Sequence, residues 1–278
     1  MPEGITRYTL RNTVVIDTMY PPFRGWKMEP KTLIIEPAEE PGWFWRAGGD
    51  LVPLSPKIIH ANHNFVGRFL ELRHKGCVLR IPEHLMFLRC MGLDGIVFEV
   101  TDSKWLPGDG TTQSYLNALR PHMKKEGVLE RYTLPKGTGI FKGTNEAFVH
   151  YFGPSHDLTV SITVDYSWKG KRHPKSAQYL FPRDFQVVSG IRTQGWPPRN
   201  HWLAVVAHKL RLNAHLNSVV WPQKNPDWVE QYNKHRALDF AAYLSFLAPV
   251  GTMLTGTFVS YKAGHRHDKL LVDTLAQP

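Results

Sequence analysis

The first hundred residues alternate short apolar runs with turn-forming residues, a pattern typical of β-strands. Runs of this kind predict strands at residues 13–17, 32–36, 69–73 and 78–80. At Pro82 the apolar spacing becomes helical and continues to Gly92, which predicts a helix of about three turns. A strand at residues 95–100 and a helix at 114–125 follow. This part of the chain is therefore predicted to mix strands with helices.

A second unit of the same kind is predicted from residue 127 onward. Apolar residues alternate with polar ones over 157–166, and residues 256–261 also predict a strand. The helices are predicted at residues 200–212, 234–247 and 267–275, and the middle one has the clearest amphipathic spacing. We therefore expect an α+β fold with two similar domains, residues 1–126 and 127–278, each with a β-sheet and a pair of helices.

The composition is that of an ordinary folded protein, with 42% hydrophobic and 21% charged residues. No apolar run approaches the roughly 18 residues of a membrane span, and the N-terminus lacks the apolar core of a secretion signal. We therefore expect a cytoplasmic protein without a transmembrane segment. Cys77 and Cys90 are too few for a four-thiolate zinc site, so any metal must be bound by His and carboxylate side chains.

The formal net charge of +10 indicates an anionic partner, such as a nucleic acid, an acidic membrane surface or a phosphate-bearing substrate. The sequence has no zinc-finger, homeodomain or RNA-recognition motif, so we expect no nucleic-acid partner. Peripheral contact with a membrane surface is a further expectation. A non-catalytic basic binding protein is the alternative to an enzyme.

His235 and Asp239 are four residues apart on the best-predicted helix, so their side chains project from one face. This geometry suits a metal, although a hydrogen-bonded surface pair uses the same spacing more often. Glu83 and His84 favour the metal, because they lie where an apolar helix begins and a buried charge there is costly without a partner. Two His and one carboxylate leave a zinc position open to water, as in catalytic sites, and Glu83 is then available as a base.

His265 follows Gly264 at the end of a predicted strand, where glycine allows a sharp turn. A loop histidine is usually only solvated. Hydrolysis of an amide, however, needs an acid opposite the base to protonate the departing amine, and imidazole titrates in a suitable range. His265 is therefore the candidate acid.

Several separate segments resemble the bacterial UDP-3-O-acyl-N-acetylglucosamine deacetylases, the zinc enzymes that commit a cell to lipid A. PEHLMFLRCMGLDGIVFEV, followed by GDGT, is similar to that family's EHLL…GLGIDN…VEV…DGS segment. KHRALD resembles its HKxLD helix, GTFVSYKAGH its GxFxxxKSGH strand and loop, and TLRNTVVID its TLKN start. Order and spacing agree across these segments, which makes the resemblance more specific than any single motif.

The resemblance implies two domains of similar fold packed helix layer on helix layer, with a zinc site between them. It implies His84, His235 and Asp239 as ligands of Zn²⁺, with Fe²⁺ as a second candidate because affinity order alone does not select zinc. The general base that it implies is Glu83, and the acid is His265.

Shorter matches imply further site residues. IRTQGW is similar to the family's ARTFGF, which implies Thr193 as a hydroxyl that contacts the oxyanion. Arg236 stands where the family has a lysine thought to meet the substrate's phosphates, and Lys262 matches the lysine of KSGH, so both are expected to bind substrate. The expected function is zinc-dependent removal of the N-acetyl group from UDP-3-O-acyl-N-acetylglucosamine, an anionic acylated nucleotide sugar, in lipid A biosynthesis.

Two departures from the family pattern leave another enzyme open. YPPFRGW at residues 20–26 replaces the family's GLHSG turn, and Tyr243 stands where a carboxylate is expected four residues after Asp239. The first change alters the substrate entrance, and the second removes a group that would orient or charge His265. A paralogous zinc amidase that acts on another N-acylated molecule is therefore the alternative.

Overall fold

The computed structural model describes residues 4–18, 31–64, 67–80, 82–101, 106, 111–134, 140–142, 147–191 and 226–276. Over these ranges the chain is a mixed α+β protein with several sheets and few helices, as the sequence predicts. Thr193, the predicted helix at residues 200–212 and the departure at residues 20–26 all lie outside the described residues.

Strands outnumber helices in the part of the chain that is described. In chain order, the strands are β1 (Ile5–Leu10), β2 (Val14–Thr18), β3 (Lys31–Pro37), β4 (Trp43–Ala47), β5 (Asp50–Pro53), β6 (Ile59–Asn64), β7 (Gly67–His74), β8 (Cys77–Arg80), β9 (Ile96–Thr101), β10 (Met123–Thr133), β11 (Ile140–Lys142), β12 (Phe148–Gly153), β13 (Leu158–Trp168), β14 (Lys171–Phe181) and β15 (Thr252–Tyr261). The helices are α1 (Glu83–Met86), α2 (Thr112–Leu119), α3 (Phe185–Ser189), α4 (Trp228–Leu244) and α5 (His265–Leu275). Short 3₁₀ turns follow three of the helices, at Phe87–Met91, Arg120–His122 and Ser245–Leu247. Among these helices, none is both long and apolar enough to cross a membrane.

One sheet has the strand order β2-β3-β9-β4-β5, in which only β4 and β9 run parallel. In β4, Trp43 and Trp45 face the core, whereas Arg46 on the other face pairs with Glu36 of β3 and Glu99 of β9. This alternation with a period of two leaves one face of the strand for the core and the other for charge pairs. Strands β6, β7 and β8 form a separate antiparallel sheet.

The largest sheet contains β1 and the strands from β10 to β15. Its central strand, β15, runs parallel to β10 and to β13 and antiparallel to β12. Along β13 the apolar residues Leu158, Val160, Ile162 and Val164 are all buried, which confirms the alternation predicted there. Strand β13 also forms a long antiparallel hairpin with β14.

The predicted domain boundary, between residues 126 and 127, falls inside strand β10. The first part of β10 pairs with β1, and its last part pairs with β15. One sheet therefore joins strands from both predicted halves. Helix α1 and the 3₁₀ turn after it pack against α4, whereas the division into two domains and the packing of one helix layer on another stay predictions.

Helix α4 is the element that positions most of the candidate site. It packs against β13 and β14 and also contacts α1, α3 and α5. Every residue from 235 to 244 is buried, so the polar side chains of this stretch are buried with the apolar ones. Because buried polar groups are costly without partners, His235, Arg236 and Asp239 need partners inside the protein.

Candidate functional site

Glu83 and His84 enter the core at the start of α1. The helix begins directly after Pro82, and the turn that follows it ends at Gly92, whose φ of +94° suits glycine. The residues from 85 to 90 are all buried, so this short helical segment runs through the core. It therefore carries Glu83 and His84 inside as well, and they are only 2% and 1% exposed.

Helix α4 brings two further candidates to the same place. Nε2 of His235 lies 3.4 Å from Oδ2 of Asp239, as their spacing of four residues predicts. The ring of His235 stacks on that of His84, with centroids 5.7 Å apart and planes inclined by 29°. Since His84 belongs to α1, this contact joins candidate ligands from two helices.

His265 lies beside the same carboxylate, with its Nε2 3.6 Å from Oδ2 of Asp239. The prediction that His265 sits in a loop is wrong, because it is the first residue of α5. The turn before it does not use Gly264 as expected, since that glycine has extended backbone with a φ of −143°. Lys262 takes the left-handed conformation instead, with a φ of +51°.

Thr112 supports His84 and was not singled out from the sequence, although it directly follows the matching GDGT segment. Its hydroxyl donates to the backbone oxygen of His84 at 2.8 Å and lies 3.4 Å from Nδ1 of the same residue. Because the hydroxyl hydrogen is used by the carbonyl, Nδ1–H must be the donor in the second contact. Nε2 then carries the lone pair, the form in which histidine binds a metal.

Burial dominates the electrostatics of the cluster. It lowers the pKa of His84 well below its usual range, aided by the nearby His235, and lowers the pKa of His235 to about 3. Both imidazoles are therefore neutral near pH 7. Burial raises the pKa of Glu83 well above its usual range, with the Asp239 charge adding to the effect. Burial also raises the pKa of Asp239 to about 7, against the opposing charge of Arg236.

The donor chemistry of this cluster fits a metal ion. Among the described residues, no group of three or more His, Cys, Asp or Glu side chains already has the geometry of a metal site. Within that same part of the chain, however, the buried atoms without a hydrogen-bond partner include Glu83 Oε2, His84 Nε2, His235 Nδ1 and Asp239 Oδ1. Unpaired buried polar atoms are rare, and a cation would satisfy these lone pairs and favour the charged carboxylates.

Arg236, expected to bind phosphate, is 7% exposed and is engaged inside the protein. Its guanidinium pairs with Asp268 and also donates to Ser260 Oγ at 3.1 Å and to the backbone oxygen of Ala263 at 2.9 Å. These contacts use Nε and one terminal nitrogen, and the side chain is buried, so phosphate binding by Arg236 stays a prediction.

Lys262, the other residue expected to bind substrate, is more accessible. Its side chain is 20% exposed, and its Nζ lies 3.3 Å from Oδ2 of Asp165, which also pairs with Arg172. Lys262 is thus part of a charged network at the end of β15.

Tyr243 and Asp268 complete the surroundings of His265. The ring of Tyr243, which stands where a carboxylate was expected, is fully buried with its centroid 6.4 Å from that of His265. Burial, followed by the nearby charge of Asp268, raises the pKa of Tyr243 well above its usual range. Asp268 is a fully buried carboxylate one turn after His265. Asp268 was not predicted from the sequence, where its local signal is the spacing of three residues from His265.

Comparison with known proteins supports a distant relationship to a deacetylase. No protein-family model matches the chain. The UDP-3-O-acyl-N-acetylglucosamine deacetylase of Syntrophus aciditrophicus (strain SB) is 24% identical to the chain over 217 residues. The match covers 73% of this chain and 65% of the relative's length. The similarity suggests a hydrolase that removes an acyl group, and it leaves the specific reaction open.

Proposed function

We propose that the protein is a metal-dependent amide hydrolase that removes the N-acetyl group from UDP-3-O-acyl-N-acetylglucosamine, in lipid A biosynthesis. The observation that carries this proposal is the buried cluster of Glu83, His84, His235, Asp239 and His265 where α1, α4 and α5 meet. The name of the similar deacetylase supports the same reaction.

In this proposal, the metal is held by His84, His235 and Asp239. Two neutral imidazoles and a carboxylate are the donor set of many catalytic zinc sites, and Fe²⁺ is the second candidate. When bound, zinc polarises the amide carbonyl and makes water a better nucleophile near pH 7.

The remaining groups move protons and steady charge. Glu83 accepts the proton of the attacking water, because it is the carboxylate of the cluster that is not needed as a ligand. His265 donates a proton to the amine nitrogen as the carbon–nitrogen bond breaks. Thr193, assigned by resemblance alone, donates a hydrogen bond to the developing oxyanion. The buried surroundings of the cluster exclude bulk water and so strengthen these charge interactions.

The substrate's diphosphate is proposed to meet Lys262, and the net charge of +10 favours an anionic substrate. A second candidate function is a paralogous metal amidase that acts on a different N-acylated molecule. The observation that favours this second function is the buried ion pair of Arg236 with Asp268. Arg236, which was expected to bind phosphate, is paired with an internal carboxylate instead.

The test is acetate release by zinc-loaded protein from UDP-3-O-acyl-N-acetylglucosamine and from an uncharged N-acetyl sugar. We expect the wild-type protein to turn over the UDP-linked substrate. We expect the Glu83→Gln variant to be slower on the order of 10² to 10⁴-fold. Turnover of only the uncharged compound would select the paralogous amidase. No acetate from either compound, or a fully active Glu83→Gln protein, would reject the proposed hydrolase.

A further inference from the structure

The side chain of Arg236 links the segment that carries His265 to helix α4. Arg236 donates from Nε to the backbone oxygen of Ala263 at 2.9 Å, two residues before His265. Its terminal nitrogen donates to Ser260 Oγ at 3.1 Å, near the end of β15, and to Asp268 in the first turn of α5. One guanidinium thus bridges the strand, the turn and the helix on either side of His265.

The same side chain is adjacent to the candidate ligands. Arg236 follows His235 directly and precedes Asp239 by three residues on α4. Nε2 of His265 lies 3.6 Å from Oδ2 of Asp239, so the position of His265 relative to α4 depends on the contacts between α4 and the residues around His265. The hydrogen bonds of Arg236 to Ser260, Ala263 and Asp268 are contacts of this kind.

The carboxylate of Asp268 neutralises the buried charge of Arg236. Its side chain is fully buried, and it lies one helical turn after His265, so it moves with the first turn of α5. The amide groups of His267 and Asp268 both donate to the backbone oxygen of Gly264, which makes that turn compact. An arginine in this position without a buried anion would be strongly unfavourable.

We infer that Arg236 and Asp268 act together as positioning residues, which hold His265 against the face of α4 that carries His235 and Asp239. The inference deepens the proposed hydrolase and rests on it for the role of His265. It gives Arg236 a function different from phosphate binding. It also explains how Tyr243 can stand where a carboxylate was expected. Arg236 and Asp268 of α5 would supply the support for His265 that this carboxylate would give.

A buried ion pair is a poor way to gain stability alone, because apolar residues of similar size often stabilise as well or better. This property allows a test. The double variant Arg236→Met with Asp268→Leu removes the pair without leaving a lone buried charge, so it is expected to fold and keep a melting temperature close to that of wild type. If the ion pair only stabilises the fold, the double variant should keep full activity. If the pair positions His265, activity should fall although the protein stays folded.

For the zinc-loaded double variant, we expect kcat to fall on the order of 10 to 100-fold with little change in KM, as for a displaced catalytic group. Independently of activity, amide hydrogen exchange at residues 265–268 should become about ten-fold faster or more, while exchange in β13 and β15 stays unchanged. Arg236→Lys, which keeps the charge but lacks the planar fork, should lose part of kcat and keep KM.

The matched control is Lys269→Met with Asp273→Leu, which removes a partly exposed ion pair from the same helix. It should leave kcat and the exchange of residues 265–268 unchanged.

A double variant at positions 236 and 268 that folds with unchanged exchange at 265–268 would overturn the inference, whatever its activity. A rise in KM for the UDP-linked substrate alone, with kcat intact, would also overturn it and restore phosphate binding to Arg236. Absence of turnover in wild type would reject the hydrolase, and the exchange result would still decide the positioning role.

Discussion

The hydroxyl of Thr112 determines which nitrogen of His84 carries the proton. It donates to the backbone oxygen of His84 and so can only accept from Nδ1–H. The buried Nε2 is left with its lone pair and, among the described residues, has no hydrogen-bond partner. A threonine hydroxyl therefore prepares His84 for a metal without touching the metal itself.

Replacing Thr112 by Val keeps the shape of the side chain and removes this control. We expect metal affinity to fall about 10 to 100-fold, the usual effect of losing a hydrogen bond that orients a ligand. Competition with a chelator measures the change. The control is Thr111→Val, which removes the hydroxyl that caps α2 through Ser114 and should cost about 1 kcal/mol of stability with metal affinity unchanged. Equal affinities for Thr112→Val and wild type would contradict the assigned tautomer.

The candidate ligands could be predicted from the sequence because their signals are local. His235 and Asp239 are one helical turn apart, and Glu83 and His84 are charged or polar at the start of an apolar run. Thr112 and Asp268 could not be predicted in the same way. Their roles depend on contacts with residues 28 and 32 positions away, which only the tertiary structure creates.

At the scale of elements, the segment that carries Glu83 and His84 is held by a close backbone contact. Gly92 ends it with a φ of +94°, and a Cβ at this position would lie 2.2 Å from the backbone oxygen of Thr6 in β1. Neither backbone can yield without moving the strand or the segment. Glycine is therefore required here both by conformation and by space.

Gly92→Ala is expected to destabilise the protein by several kcal/mol, because strain and overpacking add. Gly76→Ala is the matched control, since its φ of +85° is similar but no atom lies within 4 Å of the added Cβ. It should cost only about 1 to 2 kcal/mol. Urea unfolding of both variants measures the difference, and equal losses would show that the contact with Thr6 is unimportant.

The hairpin of β13 and β14 is joined to the end of β15 through Asp165. A hydrogen bond from Arg172 lowers the pKa of Asp165, burial opposes the shift, and Lys262 adds to it. Because the folded pKa is below the unfolded value of about 3.9, the stability that this carboxylate adds is present above that value. It is lost as the pH falls through the folded pKa.

Asp165→Asn should therefore cost about 1 kcal/mol at pH 7 and progressively less as the solution is acidified below the unfolded pKa. Urea unfolding across this range is the measurement. The control is Asp17→Asn, at an exposed carboxylate of β2 that accepts a hydrogen bond from the Thr32 hydroxyl, and it should change stability by no more than about 0.5 kcal/mol. A cost for Asp165→Asn that is the same at neutral and acidic pH would mean that the charge of Asp165 is not what stabilises the hairpin.

Element types were predictable where one face is buried, and boundaries were not. The helix predicted at residues 114–125 ends earlier, because β10 begins at Met123 and pairs with β1. Helix α4 starts at Trp228, six residues before the predicted start at Lys234. Its first turns pack through large aromatic and polar side chains, including Trp228 and Tyr232, so they show no simple apolar stripe.

At the scale of the whole molecule, the mixed α+β class followed from the sequence and the sheet connections did not. The largest sheet takes β1 from the start of the chain and β15 from near its end, with β10 between them. Pairing between strands so distant in sequence leaves no local pattern. The predicted division at residue 127 relied on a change in local pattern, and it falls inside the strand that makes this connection.

The central claim is that the buried cluster between α1, α4 and α5 binds a metal, and elemental analysis of the purified, zinc-incubated protein tests it most directly. We expect one zinc or iron ion per chain in wild type and in Glu83→Gln, because Glu83 is proposed as a base and not a ligand. Folded His235→Ala and Asp239→Ala proteins should each lose the metal, since each removes a candidate ligand. Wild type without bound metal, or stoichiometric metal that survives in both alanine variants, would contradict the claim.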